Sequence, residues 1–148
     1  MKVLIACAMF SFSLFSGCAS LNQESIQFHT SNNAIFELRS GKFDSVRVQP
    51  FETQLWLDAN LVGSITTMKT NSDFSTAVEE VRQGFREAQK SSGKVTELDL
   101  GEGNFGFSVT VNGYTTAFIA TSQEPLSWAT ISMTDSVSDD VLSNLRVH

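Results

Sequence analysis

The chain reads as an α+β protein, with antiparallel sheet built from two blocks of strands, one long helix mid-chain and a short C-terminal helix. Three observations predict this. Apolar residues alternate with period two in residues 26–68 and again in 95–134. Between the blocks the period becomes helical. Asn112-Gly113 sits between alternating segments and is a strong hairpin signal, because both central residues of a type I′ turn need positive φ.

In the first block, Ile26 and Phe28 share one side of a strand, and Phe36 and Leu38 alternate with Glu37 and Arg39. A Ser40-Gly41-Lys42 turn leads to Val46 and Val48, which alternate with Arg47 and Gln49. Pro50 interrupts pairing, since it has no N–H to donate. Leu55 and Leu57 alternate with Gln54, Trp56 and Asp58, and Asp58-Ala59-Asn60 turns the chain into a strand over 61–68. Each strand is expected to bury one face.

Helical spacing begins after Asp73, an expected N-cap, and connects Phe74, Ala77, Val78, Val81, Phe85 and Ala88. Ser92-Gly93 is the expected stop. Gly84 costs about 1 kcal/mol relative to Ala inside a helix, and its place on the flank of the apolar stripe suggests close approach to the sheet.

The second block opens with a strand over 95–100. Phe105, Phe107, Val109 and Val111 then alternate with Gly106, Ser108 and Thr110. A two-residue Asn112-Gly113 loop sets Val111 opposite Tyr114, Val109 opposite Thr116 and Phe107 opposite Phe118. Residues 122–125 turn the chain into a last strand that carries Ala129, Ile131 and Met133 on one face. In the terminal helix Ser138 is the expected cap, Asp139 and Asp140 occupy the first turn, and Val137 staples to Leu142. Val141, Leu142 and Leu145 form its buried side, and both helices are expected on one face of the sheet. This order of elements resembles the PsbP-like and Mog-type α/β/α sandwich, which implies a fold but no site residue. Cystatin-like and other helix-on-sheet folds have a similar order.

The first twenty residues have a different character. Lys2 precedes an apolar run over 3–15 that stops at Ser16-Gly17-Cys18, the layout of a secretory signal. The run is too short for the roughly 20 residues of a membrane-spanning helix. Leu14-Phe15-Ser16-Gly17-Cys18 resembles the lipobox of bacterial lipoproteins, with Phe15 where Leu is commonest. The resemblance implies cleavage between Gly17 and Cys18, lipid attachment at Cys18, and, with Ala19-Ser20 following, an outer-membrane location facing the periplasm. Two or three acyl chains would supply on the order of 20–30 kcal/mol at most. An ordinary signal peptide cleaved without lipidation is the alternative. The expected organisation is a signal at 1–17, a lipidated tether at 18–24 and one domain at 25–148.

Without residues 1–17 the domain holds nine Lys and Arg against sixteen Asp and Glu, a formal charge of −7. Such a balance disfavours nucleic acid as a partner and repels anionic membrane surfaces, so lipid would have to provide attachment. Cys7 leaves with the signal and Cys18 is taken by lipid, which leaves no internal disulfide. Twelve Phe beside two Trp and one Tyr suggest a dry aromatic core.

Motifs for chemistry are weak. Gly101-Glu102-Gly103-Asn104-Phe105-Gly106 matches G-x-G-x-x-G, but it runs into a strand where a dinucleotide site needs a helix. The sequence has no metal-ligand spacing, completes no nucleophile elbow and calls for no cofactor. Glu97, Asp99 and Glu102 form an acidic patch that either serves as an acid/base pair or is a solvated strand face. Arg82, Arg86 and Lys90 align on one helix face, as contacts for an acidic partner or simply as bases suiting the helix dipole. Trp56, opposite the side that buries Leu55 and Leu57, is a candidate interface anchor. The sequence therefore leads to a non-enzymatic module bound to the membrane through its lipid and to another envelope protein, with Trp56, Arg82, Arg86 and Lys90 as candidate contacts. A small hydrolase or transferase using the acidic residues, or an immunity-type inhibitor of a toxin, are the alternatives.

Overall fold

The computed structural model describes residues 25–39 and 41–148. The signal at 1–17, Gly17, Cys18, the tether at 18–24 and Ser40 of the expected turn lie outside the described residues. The chain runs through β1 (Ser25–His29), β2 (Ala34–Arg39), β3 (Ser45–Val48), β4 (Glu52–Leu57), β5 (Asn60–Lys69), α1 (Ala77–Ala88), β6 (Lys94–Leu98), β7 (Phe105–Val111), β8 (Tyr114–Ala120), β9 (Ser127–Thr134), α2 (Asp135–Asn144) and β10 (Arg146–Val147). An antiparallel seven-stranded sheet has the order β3-β4-β5-β9-β8-β7-β6, and a three-stranded sheet the order β1-β2-β10. The fold is α+β, with one helix mid-chain and one near the C-terminus.

Alternation in the central strands gives the large sheet two apolar faces. On one, Phe105, Phe107, Phe118, Ala120 and Trp128 receive Val81 and Phe85 of α1. Phe107 stacks on Phe118 at 4.7 Å between ring centroids, and Phe85 meets Phe107 at 5.4 Å. On the other face, Leu55, Ala117, Ile119, Ile131 and Met133 pack against Phe36 and Leu38 of β2 and Val137 and Val141 of α2. The helices thus occupy opposite faces of the sheet, not the single face expected. Each helix has an apolar stripe, but nothing in a stripe records which sheet face it meets.

Buried polar groups join the layers. Asn32 is fully buried in the β1–β2 turn, and its Nδ2 donates to the Ile119 carbonyl of β8 at 2.9 Å. Its Oδ1 accepts from Thr30 Oγ1 at 2.6 Å, and its own carbonyl accepts from Thr121 Oγ1 at 2.8 Å. At the end of α2, Asn144 bonds both the N–H and the carbonyl of Glu37. These bonds fix the small sheet and α2 to their neighbours where apolar packing alone has no direction.

Turn chemistry sets the register. Asn112 and Gly113 have φ of 51° and 82°, and Val111–Tyr114, Val109–Thr116 and Phe107–Phe118 pair as the sequence predicts. The β4–β5 turn has the same sense with Asp58 and Ala59 at φ of 49° and 63°. Ala59 therefore holds a left-handed conformation that glycine adopts without steric cost. Gly106 has a different reason: a Cβ there would lie 2.6 Å from Leu100 Cδ1 and 2.9 Å from the Phe118 carbonyl. The G-x-G-x-x-G match is the β6–β7 connection followed by β7, with Gly101 and Gly103 at positive φ.

Both helices begin elsewhere than the sequence suggests. Thr76, not Asp73, caps α1, and its Oγ1 accepts from the Glu79 N–H at 3.3 Å. Glu79 in turn accepts from Ser75 Oγ at 2.7 Å, a reciprocal arrangement akin to a capping box. The helix ends at Ala88, ahead of Ser92-Gly93. α2 starts at Asp135, so Ser138 lies inside the helix and donates to the Asp135 carbonyl instead of capping. Val137, Ser138 and Val141 are its buried residues, while Leu142 and Leu145 are half-buried.

Three outcomes are expected. Asn32→Ala removes the side-chain donor to the Ile119 carbonyl and the acceptor of the Thr30 hydroxyl, while the Asn32 carbonyl that accepts from Thr121 remains, and it should cost about 1–3 kcal/mol in urea unfolding. Ala59→Gly should raise stability by about 0.5–1 kcal/mol by relieving the positive φ. The Ser75 hydroxyl, chiefly, holds the Glu79 carboxyl below its ordinary 4.5. A lowered folded value means that this contribution is present above pH 4.5 and is lost as pH falls through the folded value. In Ser75→Ala the Glu79 titration followed by NMR should move up toward 4.5.

Candidate functional site

The small sheet and α2 cover only part of the face they pack on, and β3 lies outside that cover. Val46 and Val48 pair with Leu55 and Thr53 and point to the same face as Leu55, yet they are 41% and 79% exposed. The expectation that every strand buries one face therefore fails at β3, whose four residues are all exposed. β3 is also an edge of the large sheet, so one side of its backbone has no strand partner among the described residues.

Beyond Val48 the chain turns through Pro50 and Phe51, closed by the Gln49 N–H donating to the Glu52 carbonyl at 2.8 Å. Pro50 ends the strand as expected. Phe51 stands at the tip, 83% exposed. It lines a groove of about 530 Å³ together with Phe28, His29, Ser31, Pro50 and Ile65. Ser31 Oγ lies 2.7 Å from Thr67 Oγ1 and joins the β1–β2 turn to β5 on that side of the groove. An exposed Phe, an adjacent exposed Val, an open strand edge and a groove form a surface suited to an apolar side chain on an extended segment.

The residues singled out from sequence are held within the fold or spread over it. Trp56 is half-buried, with its Nε1 donating to Gln54 Oε1 at 3.3 Å and the Arg47 guanidinium 4.5 Å above its ring. Arg82 lies 4.5 Å over the Phe105 ring, Arg86 donates twice to Gln83 Oε1, and Lys90 pairs with Glu87 at 2.9 Å. Arg82 and Arg86 are thus engaged along α1 and on the sheet beneath, Lys90 lies past the helix end at Ala88 instead of on the helix face expected, and Trp56 is on β4. Gly17 and Cys18 are outside the described residues.

Glu97 and Asp99 share a shallow notch of about 330 Å³ with Arg82 and Asn104. β6 ends at Leu98, so the two carboxylates do not share a strand face, because Asp99 is already in the following turn. Asp99 Oδ1 accepts from the Gly101 N–H at 3.4 Å. Among the described residues, no group of three His, Cys, Asp or Glu side chains is placed to hold a metal ion. His29 Nε2 lies 3.1 Å from Gln27 Oε1 on the same strand. Among the described residues no helix is long and apolar enough to cross a membrane.

Sequence reasoning passed over Val48 and Phe51. The available signal was Phe51 directly after Pro50: a bulky apolar residue in a turn, where no core can form around it. Comparison with protein-family models, with curated proteins and with solved structures gives no match.

Proposed function

We propose that the protein is a lipid-anchored envelope protein whose domain binds another envelope protein at the β3 edge and Phe51. The observation that carries the binding role is the exposure of Val48 and Phe51, 79% and 83%, beside a strand edge with no strand partner among the described residues. Single exposed apolar residues are ordinary on protein surfaces. Two together at a sheet edge, with a groove against one of them, match recognition by strand addition. The lipobox-like Leu14-Phe15-Ser16-Gly17-Cys18 supports the anchor and the periplasmic location. Trp56 and the Arg82–Lys90 stripe become secondary, since each already has a partner inside the fold.

The test is site-specific photocrosslinking in intact cells from position 51, with position 102 in the β6–β7 connection as control. One envelope protein should crosslink from position 51 and not from 102, and Val48→Ser should reduce that yield by about tenfold, as for a residue near the centre of an interface. Mass spectrometry should find a diacylglyceryl group on the fragment beginning at Cys18, absent from Cys18→Ala. Equal labelling from both positions, or no product while the lipidated protein is abundant, would sink the binding reading. An unmodified N-terminus would sink the anchor alone.

A further inference from the structure

The side of α1 that faces the sheet does not close completely. Between the helix and β7–β9 lies a slot of about 250 Å³, lined by Gly84, Val109, Phe107, Phe118 and Trp128 with Glu80 among its walls. An apolar cavity of about 150 Å³ accommodates a benzene ring, so this slot has room for a ring with a short arm. Its breadth depends on Gly84. A Cβ at that position would come no nearer than 3.7 Å to Phe107, ordinary van der Waals contact, so packing does not require glycine there. The helical cost of glycine has no structural return except the space it leaves.

Glu80 supplies the polar end. Its Oε2 accepts from Trp128 Nε1 at 3.1 Å and from the Asn71 N–H at 2.9 Å, which holds the carboxylate still. The one ion pair among the described residues joins Lys90 to Glu87, so none of them gives Glu80 a cation within 4.0 Å. A fixed, half-buried carboxylate beside three aromatic rings is complementary to a small organic cation, through charge and through the ring faces.

We infer that this slot binds a primary amine carried on an aromatic or short alkyl body, with the ammonium on Glu80 and the body against Phe107, Phe118 and Trp128. This site lies on the opposite face of the sheet from Val48 and does not rest on the protein-binding reading. 2-Phenylethylamine is the probe, followed by calorimetry and by Trp128 emission in a Trp56→Phe background. It should bind with millimolar affinity or better, whereas 3-phenylpropanoate, with the opposite charge, should not. Glu80→Gln keeps an acceptor for Trp128 and Asn71 and should weaken the amine at least tenfold. Gly84→Leu should abolish binding. Gly84→Ala, which keeps the helix and only narrows the slot, should weaken binding severalfold and serves as control should the leucine variant unfold. Equal binding of the carboxylate probe, undiminished binding in Gly84→Ala and Glu80→Gln, or no binding of the amine would each overturn the assignment.

Discussion

The structure depends on the need to cover both faces of the sheet at β8 and β9. These strands lie at its centre and are apolar on both sides: Phe118 and Trp128 on one, Ala117, Ile119, Ile131 and Met133 on the other. A strand with two apolar faces has to be sandwiched. The chain meets that demand with α1 above, and with α2 and a three-stranded sheet below. The Asn32 and Asn144 hydrogen bonds serve the same end, since they fix where the lower layer sits.

The supply of covering elements runs out toward β3, and the sequence there reflects what each face meets. On the α1 side, β3 to β5 carry Arg47, Glu52, Gln54, Ser64 and Thr66, and Gln54 links Glu52 to Trp56 in a row of hydrogen bonds. That face is left to water and is mostly polar, with Trp56 and Met68 as its apolar members. On the lower side Val46 and Val48 stay apolar without a layer over them. Val48 and Phe51 in this corner are the most exposed of the large apolar side chains among the described residues. At α1 the gap in cover is smaller and of another kind: a layer is present, but one residue of it has no side chain.

Much of this was legible in the residues. Asn112-Gly113 fixed three cross-strand pairs because a two-residue turn leaves no freedom in register. The α1 stripe and the β7–β9 alternation were legible because each repeats over several turns or pleats. The helix starts were not. Asp73 and Thr76 are both good caps, and Phe74 falls at a helix-compatible spacing although it lies outside the helix. β10 has only two residues, too few for any period, and it exists because β2 presents an edge to it. The candidate surfaces were hidden for a tertiary reason. Alternation tells which residues share a face, but whether another layer arrives to cover Val48 or Trp56 is decided by elements far away in the chain.

The short length of β3 bears on how long a complex formed there could last. Four residues followed by Pro50 offer an added strand only a brief ladder. Arg47, held over Trp56, keeps a positive charge along the same edge and discourages stacking of identical copies. With so few main-chain bonds, the dwell time of a partner would be governed by the side chains it places near Val48 and Phe51. An edge of this kind favours quick exchange over permanent assembly. Under the proposed function, such an edge would suit repeated sampling of a partner, with the proposed lipid anchor keeping the two close.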